Sequence, residues 1–188
     1  LEFRRVIFRS DDQSVLDAIA AVKAAGIRIV AYERVMQGPS VDYYVGFDSF
    51  DIGAAQGTFL ADKAAGKGSG IPLYLYAGDP GDYNAFLFLK GAWSVLRSKV
   101  ADGTFSVRNS SAADSLKTVA SPTNAQIQTI LDQVSIESWL YENAAAKFSG
   151  NISTDKPTAP FILAPNDGTA RGIMSACASS SPAITGFT

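Results

Sequence analysis

Pro72-Leu-Tyr-Leu-Tyr-Ala-Gly-Asp-Pro-Gly-Asp-Tyr-Asn-Ala-Phe-Leu-Phe-Leu-Lys-Gly-Ala-Trp93 sets two apolar runs on either side of a polar turn, Gly78 to Asn84. The first run, Pro72 to Ala77, has the length and continuity of a strand buried on both faces. The second, Ala85 to Leu96, is nearly continuously apolar and suits a helix pressed on a sheet. In open parallel sheets, ligands bind beyond the carboxyl ends of the strands, where strand-to-helix loops and helix amino termini converge. Asp79, Asp82 and Asn84 therefore sit where a ligand-binding turn is expected.

The same alternation extends in both directions. Val6 to Phe8 reads as a strand, and Val15, Leu16, Ile19 and Val22 recur at helical spacing up to Gly26. Ile27 to Tyr32 and Val41 to Phe47 read as buried strands. A helix runs from Ile52 to Ala64, and its Gly53 and Gly57 are expected to let it approach the sheet closely. Ala65 to Gly70 is a surface turn, because it follows a helix and lacks the spacing of a phosphate loop. Further along come a short strand at Thr104 to Val107, helical structure from Asn124 to Phe148 broken near Ser135, and a polar loop from Ser149 to Thr158. The chain closes with strand Phe161 to Ala164, turn Pro165 to Gly168, helix Thr169 to Ala178 and a last strand near Ala183 to Thr185. Alternating strands and helices signal an α/β fold with parallel sheets.

Composition narrows the chemistry. The 188 residues contain no histidine, which removes Ser-His-Asp and Cys-His systems and the commonest metal ligand together. Cys177 is the only cysteine, so no internal disulfide forms, and its place on an apolar helix reads as a small buried residue. With 16 basic and 18 acidic residues the net charge is −2, leaving no basic field for nucleic acid. No run approaches the ~18 apolar residues of a membrane-spanning helix. No cofactor or metal is expected. The amino terminus has neither a starting Met nor a signal-peptide core, so the chain reads as a mature segment or a fragment, with Leu1 to Phe3 set aside as a cloning junction.

Polar groups gather after three of the strands: Glu33-Arg34, Asp79 to Asn84, and Asn166-Asp167. Each has a plainer reading. Glu33-Arg34 can be a surface ion pair, Asp82 or Asn84 can cap the helix near Ala85, and Asn166-Asp167 can form an Asx-turn and cap. Trp93, Trp139, Phe86 and Phe88 read as core or helix-face aromatics. Taken together, one Arg with several carboxylates and amides suits a neutral polyhydroxylated ligand. Each hydroxyl both donates and accepts, so carboxylates take its proton while Arg and Asn donate to its lone pairs.

The stretches Ile27 to Arg34, Val41 to Phe50 with Gly53 and Gln56, Ala77 to Phe86 with Gly91 to Leu96, and Ala164 to Gly168 resemble the sugar-binding proteins of bacterial ABC transporters. The match is to the xylose-binding and multiple-sugar-binding group of the type 1 periplasmic-binding fold. The succession runs in family order from Val6 to about Gly186, with a longer insertion near Trp139 to Pro160. The resemblance implies a partial first lobe, residues 1–47, and most of a second, 48–188. Two such lobes close on a monosaccharide and perform no chemistry. It further implies an extracytoplasmic location, an ABC permease as partner of the intact protein, and a role in sugar uptake or chemosensing. A sugar-responsive effector domain of a transcription regulator, and a fragment that does not bind, are the alternatives. An enzyme using Asp79 and Asp82 is disfavoured because their spacing does not create an opposed pair.

Residue by residue, the resemblance implies that Arg34 binds sugar hydroxyls, with Glu33 in place of the family's Asp. Asp82 and Asn84 match a ligand-binding turn in which Tyr83 replaces an Asn, and Asn166 and Asp167 match the turn after the later strand. The family's sugar-stacking Trp falls on Ala120, and its closing Gly-Gln-Asp is replaced by Gly186-Phe187-Thr188. Arg34→Ala and Asn84→Ala are expected to weaken binding with folding largely retained. A first lobe reduced to Val6 to Phe8, Ile27 to Tyr32 and Val41 to Val45 leaves sheet surface uncovered. Self-association or a missing complementary segment is expected, with weak or absent sugar binding by this segment alone.

Overall fold

The computed structural model describes residues 13–34 and 41–188; the strand expected at Val6 to Phe8 lies outside them. The chain falls into two compact units, one comprising Leu1–Phe47 with Gly81–Asn84 and the other Asp48–Pro80 with Ala85–Thr188.

In the first unit, helix α1 (Gln13–Ala24) precedes strands β1 (Val30–Tyr32) and β2 (Tyr43–Val45), which pair in parallel with Val30 opposite Tyr43 and Tyr32 opposite Val45. The carboxylate of Asp42 fixes the entry to β2 by accepting from the backbone N–H of Ile29 at 2.8 Å, and Lys23 stands 3.6 Å away. That backbone hydrogen bond, helped by the Lys23 charge, holds the Asp42 carboxyl below the ordinary carboxylate range. Both strands exist where the β-branched and aromatic runs put them, but they are not buried as expected. Tyr32 is 78% exposed and Tyr43 53%, and α1 buries no residue. Apolar continuity signals a strand covered on both faces only where layers lie against it, and a two-stranded sheet among the described residues has little to cover it.

The second unit is built on β3 (Ile71–Leu75), flanked in parallel by β4 (Phe105–Val107) and β5 (Phe161–Leu163) in the order β4-β3-β5. Leu73, Tyr74 and Leu75 are fully buried, as the unbroken apolar run requires of a central strand. Tyr74 in β3 and Tyr76 just beyond its end both meet Phe148 edge-on, at centroid distances of 5.6 and 6.1 Å. Phe148 belongs to helix α6 (Tyr141–Asp155), which packs with α7 (Asp167–Ser179) over these rings; Ala144, Ile152, Ile173 and Cys177 complete the cluster. Burial pushes the Tyr76 hydroxyl and the Cys177 thiol above their ordinary ranges.

Helices α2 (Ser49–Ala64) and α3 (Tyr83–Ala101) meet backbone to backbone at glycines. A Cβ at Gly53 would stand 2.0 Å from the carbonyl oxygen of Phe88, one at Gly57 2.7 Å from that of Ala92, and one at Gly91 2.0 Å from that of Phe50. The two glycines of α2 are therefore structural, as expected, but what they admit is the backbone of α3 rather than the sheet. Asp48 caps α2 by accepting from the N–H groups of Phe50 and Asp51 at 2.9 and 3.1 Å.

Other elements depart from the sequence reading. The helical stretch beginning at Asn124 does break at Ser135, giving α5 (Asn124–Val134), a 3-10 turn at Glu137–Trp139 and then α6. But α6 continues to Asp155 through the stretch expected to be a loop, because Ala144, Phe148 and Ile152 at spacing four keep one face buried. A short helix, α4 (Ser111–Leu116), was not anticipated. It is capped by Ser110, whose Oγ accepts from the N–H of Ala113 at 3.1 Å. The closing segment near Ala183 to Thr185 is not a strand. There, Ile184 donates to the carbonyl of Cys177 at 3.0 Å, and Thr188 exchanges backbone bonds with Pro160 and Ile162.

Gly53→Leu should destabilise the protein by roughly 1–3 kcal/mol through overpacking against α3. A thermal melt should fall by several degrees, on the order of 2–4 °C per kcal/mol for a chain of this size; an unchanged transition would mean the helices separate without penalty.

Candidate functional site

Four of the six residues singled out from sequence come together in the first unit. After β1 the chain turns at Glu33, which takes a left-handed φ of 68°. Its N–H donates to the carbonyl of Val45 at 2.8 Å, while its own carbonyl accepts from the Tyr44 hydroxyl and the Asn84 side-chain amide, each at 3.0 Å. The Asn84 amide is thereby fixed while its backbone N–H donates to Asp82 Oδ1 at 3.0 Å. Arg34 pairs with the carboxylate of Asp82 through Nη1 and stands 3.4 Å from Glu33 through Nε. The Asp82 side chain is 8% exposed and that of Arg34 41%. A buried carboxylate is thus neutralised by a guanidinium that also reaches solvent.

This geometry revises one expectation. Asp82 requires a cationic partner, because a buried charge stripped of its pair carries a large desolvation cost. Arg34→Ala would therefore disturb folding as well as any ligand, contrary to the expectation that folding would be retained. Both plainer readings are also present: Glu33-Arg34 is an ion pair, and Asp82 accepts from the N–H of Asn84 at the start of α3.

Asn166 and Asp167 belong to the second unit, at the amino terminus of α7. Asn166 is the cap: its Oδ1 accepts from the Thr169 N–H and hydroxyl, both at 2.9 Å, with Thr169 fully buried. Asp167 occupies the first turn, where the helix dipole favours negative charge. Pro165 holds the approach to this turn, its carbonyl accepting from Gln56 Nε2 at 3.3 Å.

At the carboxyl end of β3 in the same unit, Asp79 Oδ2 accepts from the backbone N–H of Ser138 at 2.6 Å, and the indole of Trp139 lies against Gly78. Asp79 was part of the polar turn read from sequence. Trp139 was read as a core aromatic, and no periodicity could have brought it here, because it reaches this edge on a segment far along the chain. Lys147 of α6 donates to the carbonyl of Ser135 at 2.8 Å, and partial burial pushes its ammonium below the ordinary lysine range. In the first unit, Arg34 and Asn84 carry N–H groups beside the carboxylates of Glu33 and Asp82; in the second, Asp167 carries a carboxylate of its own.

The family pattern described as periplasmic binding protein domain matches residues 6–188. The chain belongs to this family. Among curated relatives, the multiple sugar-binding periplasmic protein SbpA of Azospirillum brasilense is 30% identical over 181 residues, covering 90% of this chain and 44% of the relative. The D-xylose-binding periplasmic protein of Haemophilus influenzae is 28% identical, covering 91% and 43%. Among solved structures, a carbohydrate transporter solute-binding protein from Chloroflexus aurantiacus in complex with D-glucose superposes with a TM-score of 0.83 at 42% identity, over 92% of this chain and 51% of that one. The chain thus spans about half the length of the proteins it matches. The family membership and the parallel α/β fold are those the resemblance implied.

Asn166→Ala should cost about 1 kcal/mol of stability by freeing the first N–H groups of α7, whereas Asn166→Asp, which keeps the accepting oxygen, should cost little. Paired melting curves measure this; equal losses in both variants would remove the cap from the account.

Proposed function

We propose that this chain is a segment of an extracytoplasmic solute-binding protein that recognises a monosaccharide for ABC-type uptake or chemosensing, without chemical turnover. The ligand groups in this reading are Arg34, Glu33, Asp82 and Asn84 in the first unit and Asn166 and Asp167 in the second. The observation that carries it is the Arg34–Asp82 pair beside the fixed amide of Asn84. A guanidinium with five N–H donors, only some of them taken up by carboxylates, presents the rest in a fixed plane to a neutral ligand. Likeness to a D-glucose complex at 42% identity supports the choice of a sugar. A hydroxyl-rich solute suits such a set because every hydroxyl both gives and takes a hydrogen bond. An uncharged ligand also leaves the Arg34–Asp82 neutralisation undisturbed.

Calorimetric titration with D-glucose and D-xylose tests the reading. Arg34→Lys keeps the positive charge beside Asp82 but removes the planar fork. It should weaken binding by roughly 1–3 kcal/mol, because ligand hydroxyls lose their partners, while the melting curve moves little. Failure of both sugars to bind the parent chain at millimolar concentration would overturn the reading for this segment and leave the alternative of a fragment that does not bind.

A further inference from the structure

Beyond Leu75 the backbone of β3 finds its partners on a segment that α6 grips from the other side. β4 ends at Val107, and the N–H of Ala77 donates to the carbonyl of Val134 at 3.0 Å. The N–H of Ile136 answers by donating to the carbonyls of Ala77 and Gly78, both at 3.0 Å. The segment after α5 thus lies alongside the extension of β3, with Ser135 bridged to Ala77. Asn143 Nδ2 donates to the carbonyl of Glu137 at 3.0 Å, and Lys147 Nζ to that of Ser135 at 2.8 Å. Asn143 and Lys147 stand four apart on α6 and so are neighbours on its surface. Between them they hold the carbonyls on either side of Ile136.

Of the two grips, that of Lys147 works against the fold. Lys23, Lys99 and Lys117 each stand beside a carboxylate at the surface. Lys147 is half-buried, and no neighbouring charge offsets the burial that pushes its ammonium down. Its plainest role is to cap the carboxyl end of α5, where positive charge is favoured. That role requires the charge to stabilise the protein. Burial acts in the opposite sense: an ammonium pushed below its ordinary range in the folded chain lowers stability at every pH below that range. A charge kept at the expense of stability points to a task other than folding.

We propose that Lys147 is a positioning residue for ligand binding: through the Ser135 carbonyl it fixes the segment that sets Gly78 and Asp79 at the carboxyl edge of the sheet. The segment reaches that turn twice, through the Ile136 N–H on the Gly78 carbonyl and through the Ser138 N–H on Asp79 Oδ2 at 2.6 Å. β3 and β5 run parallel, so the turn of Asp79 and that of Asn166 and Asp167 leave the sheet at the same edge. Recognition tolerates displacements of only about 0.5 Å, so what supports a site matters alongside what touches the ligand. Lys147 acts through backbone and touches no ligand in this role. The inference rests on the sugar-binding reading and adds to it a residue that keeps the edge in place.

The test uses the full chain with Lys147→Met, which keeps the length and loses the charge, and Lys147→Arg, which keeps the charge and its donors. Affinity for D-glucose and D-xylose is measured by calorimetry, stability by thermal melting, and the order of the edge by amide exchange of Ala77 and Ile136 in the free chain. Lys147→Met should melt at or above the parent temperature, because the buried charge is gone. It should nevertheless lose about tenfold in sugar affinity and exchange Ala77 and Ile136 about tenfold faster, with Lys147→Arg recovering both to within about threefold. Parent-like sugar affinity in Lys147→Met, or affinity in Lys147→Arg no better than in Lys147→Met, overturns the proposal while the sugar reading stands. A transition in Lys147→Met several degrees below that of the parent also overturns it and leaves Lys147 a cap of α5. If neither sugar binds the parent chain, the sugar reading falls for this segment, and the exchange of Ala77 and Ile136 decides whether Lys147 holds the edge.

Discussion

A strand buried on both faces has no water to turn to, so every N–H and C=O it carries must find a partner in the protein. β3 lives under that constraint, and much of the second unit can be read as its solution. The neighbouring strands supply the partners, β4 over Ile71 to Leu73 and β5 over Leu73 to Leu75. At Leu75 β4 has already ended, and the side-chain amide of Asn109 substitutes for a strand, donating to the Leu75 carbonyl at 2.7 Å and accepting from its N–H at 3.0 Å. At Tyr76 the carbonyl of Leu163 takes over, and at Ala77 that of Val134.

The carboxyl edge is therefore assembled from loop and side-chain groups rather than from strand. Strand pairing fixes backbones in a repetitive lattice, whereas Asn109, Val134 and Ile136 satisfy β3 while leading the chain elsewhere. One of those departures delivers Ser138 and Trp139 to Gly78 and Asp79. Within the first unit, Asp82 pairs with Arg34, and the Asn84 side chain donates to the Glu33 carbonyl. The close approach of α2 and α3 through Gly53, Gly57 and Gly91 holds the helix that begins at this turn.

What the sequence made legible follows the reach of local physics. The run around Leu73 to Leu75 could only be a buried strand, and the spacing of Gly53 and Gly57 could only serve a close approach. The resemblance matches Arg34 to a family Asp-Arg pair and Asp82 and Asn84 to a family turn, and the structure brings the three together. The exposure of Tyr32 and Tyr43 was not legible, because burial depends on layers that β-propensity cannot count. The helix through Ser149 to Asp155 was hidden by its polar composition, although Phe148 and Ile152 kept the period. Trp139 was hidden for a different reason. Trp139 reaches this edge on a segment distant in sequence, whose path is set by the hydrogen-bonding needs of β3.

The central claim is that ligand recognition belongs to the carboxyl edge of β3 and the turns beside it. The second unit also carries a cavity of about 480 Å³ at the opposite edge, lined by Lys156 to Ala159 and Ser179 to Thr185. Amide hydrogen exchange of the chain with and without D-glucose separates the two. Slowed exchange in peptides covering Gly78 to Asn84, Ser138 to Tyr141 and Asn166 to Thr169 is the predicted result. Slowed exchange confined to Lys156 to Ala159 and Ser179 to Thr185 would contradict the account and move recognition to the other side of the sheet.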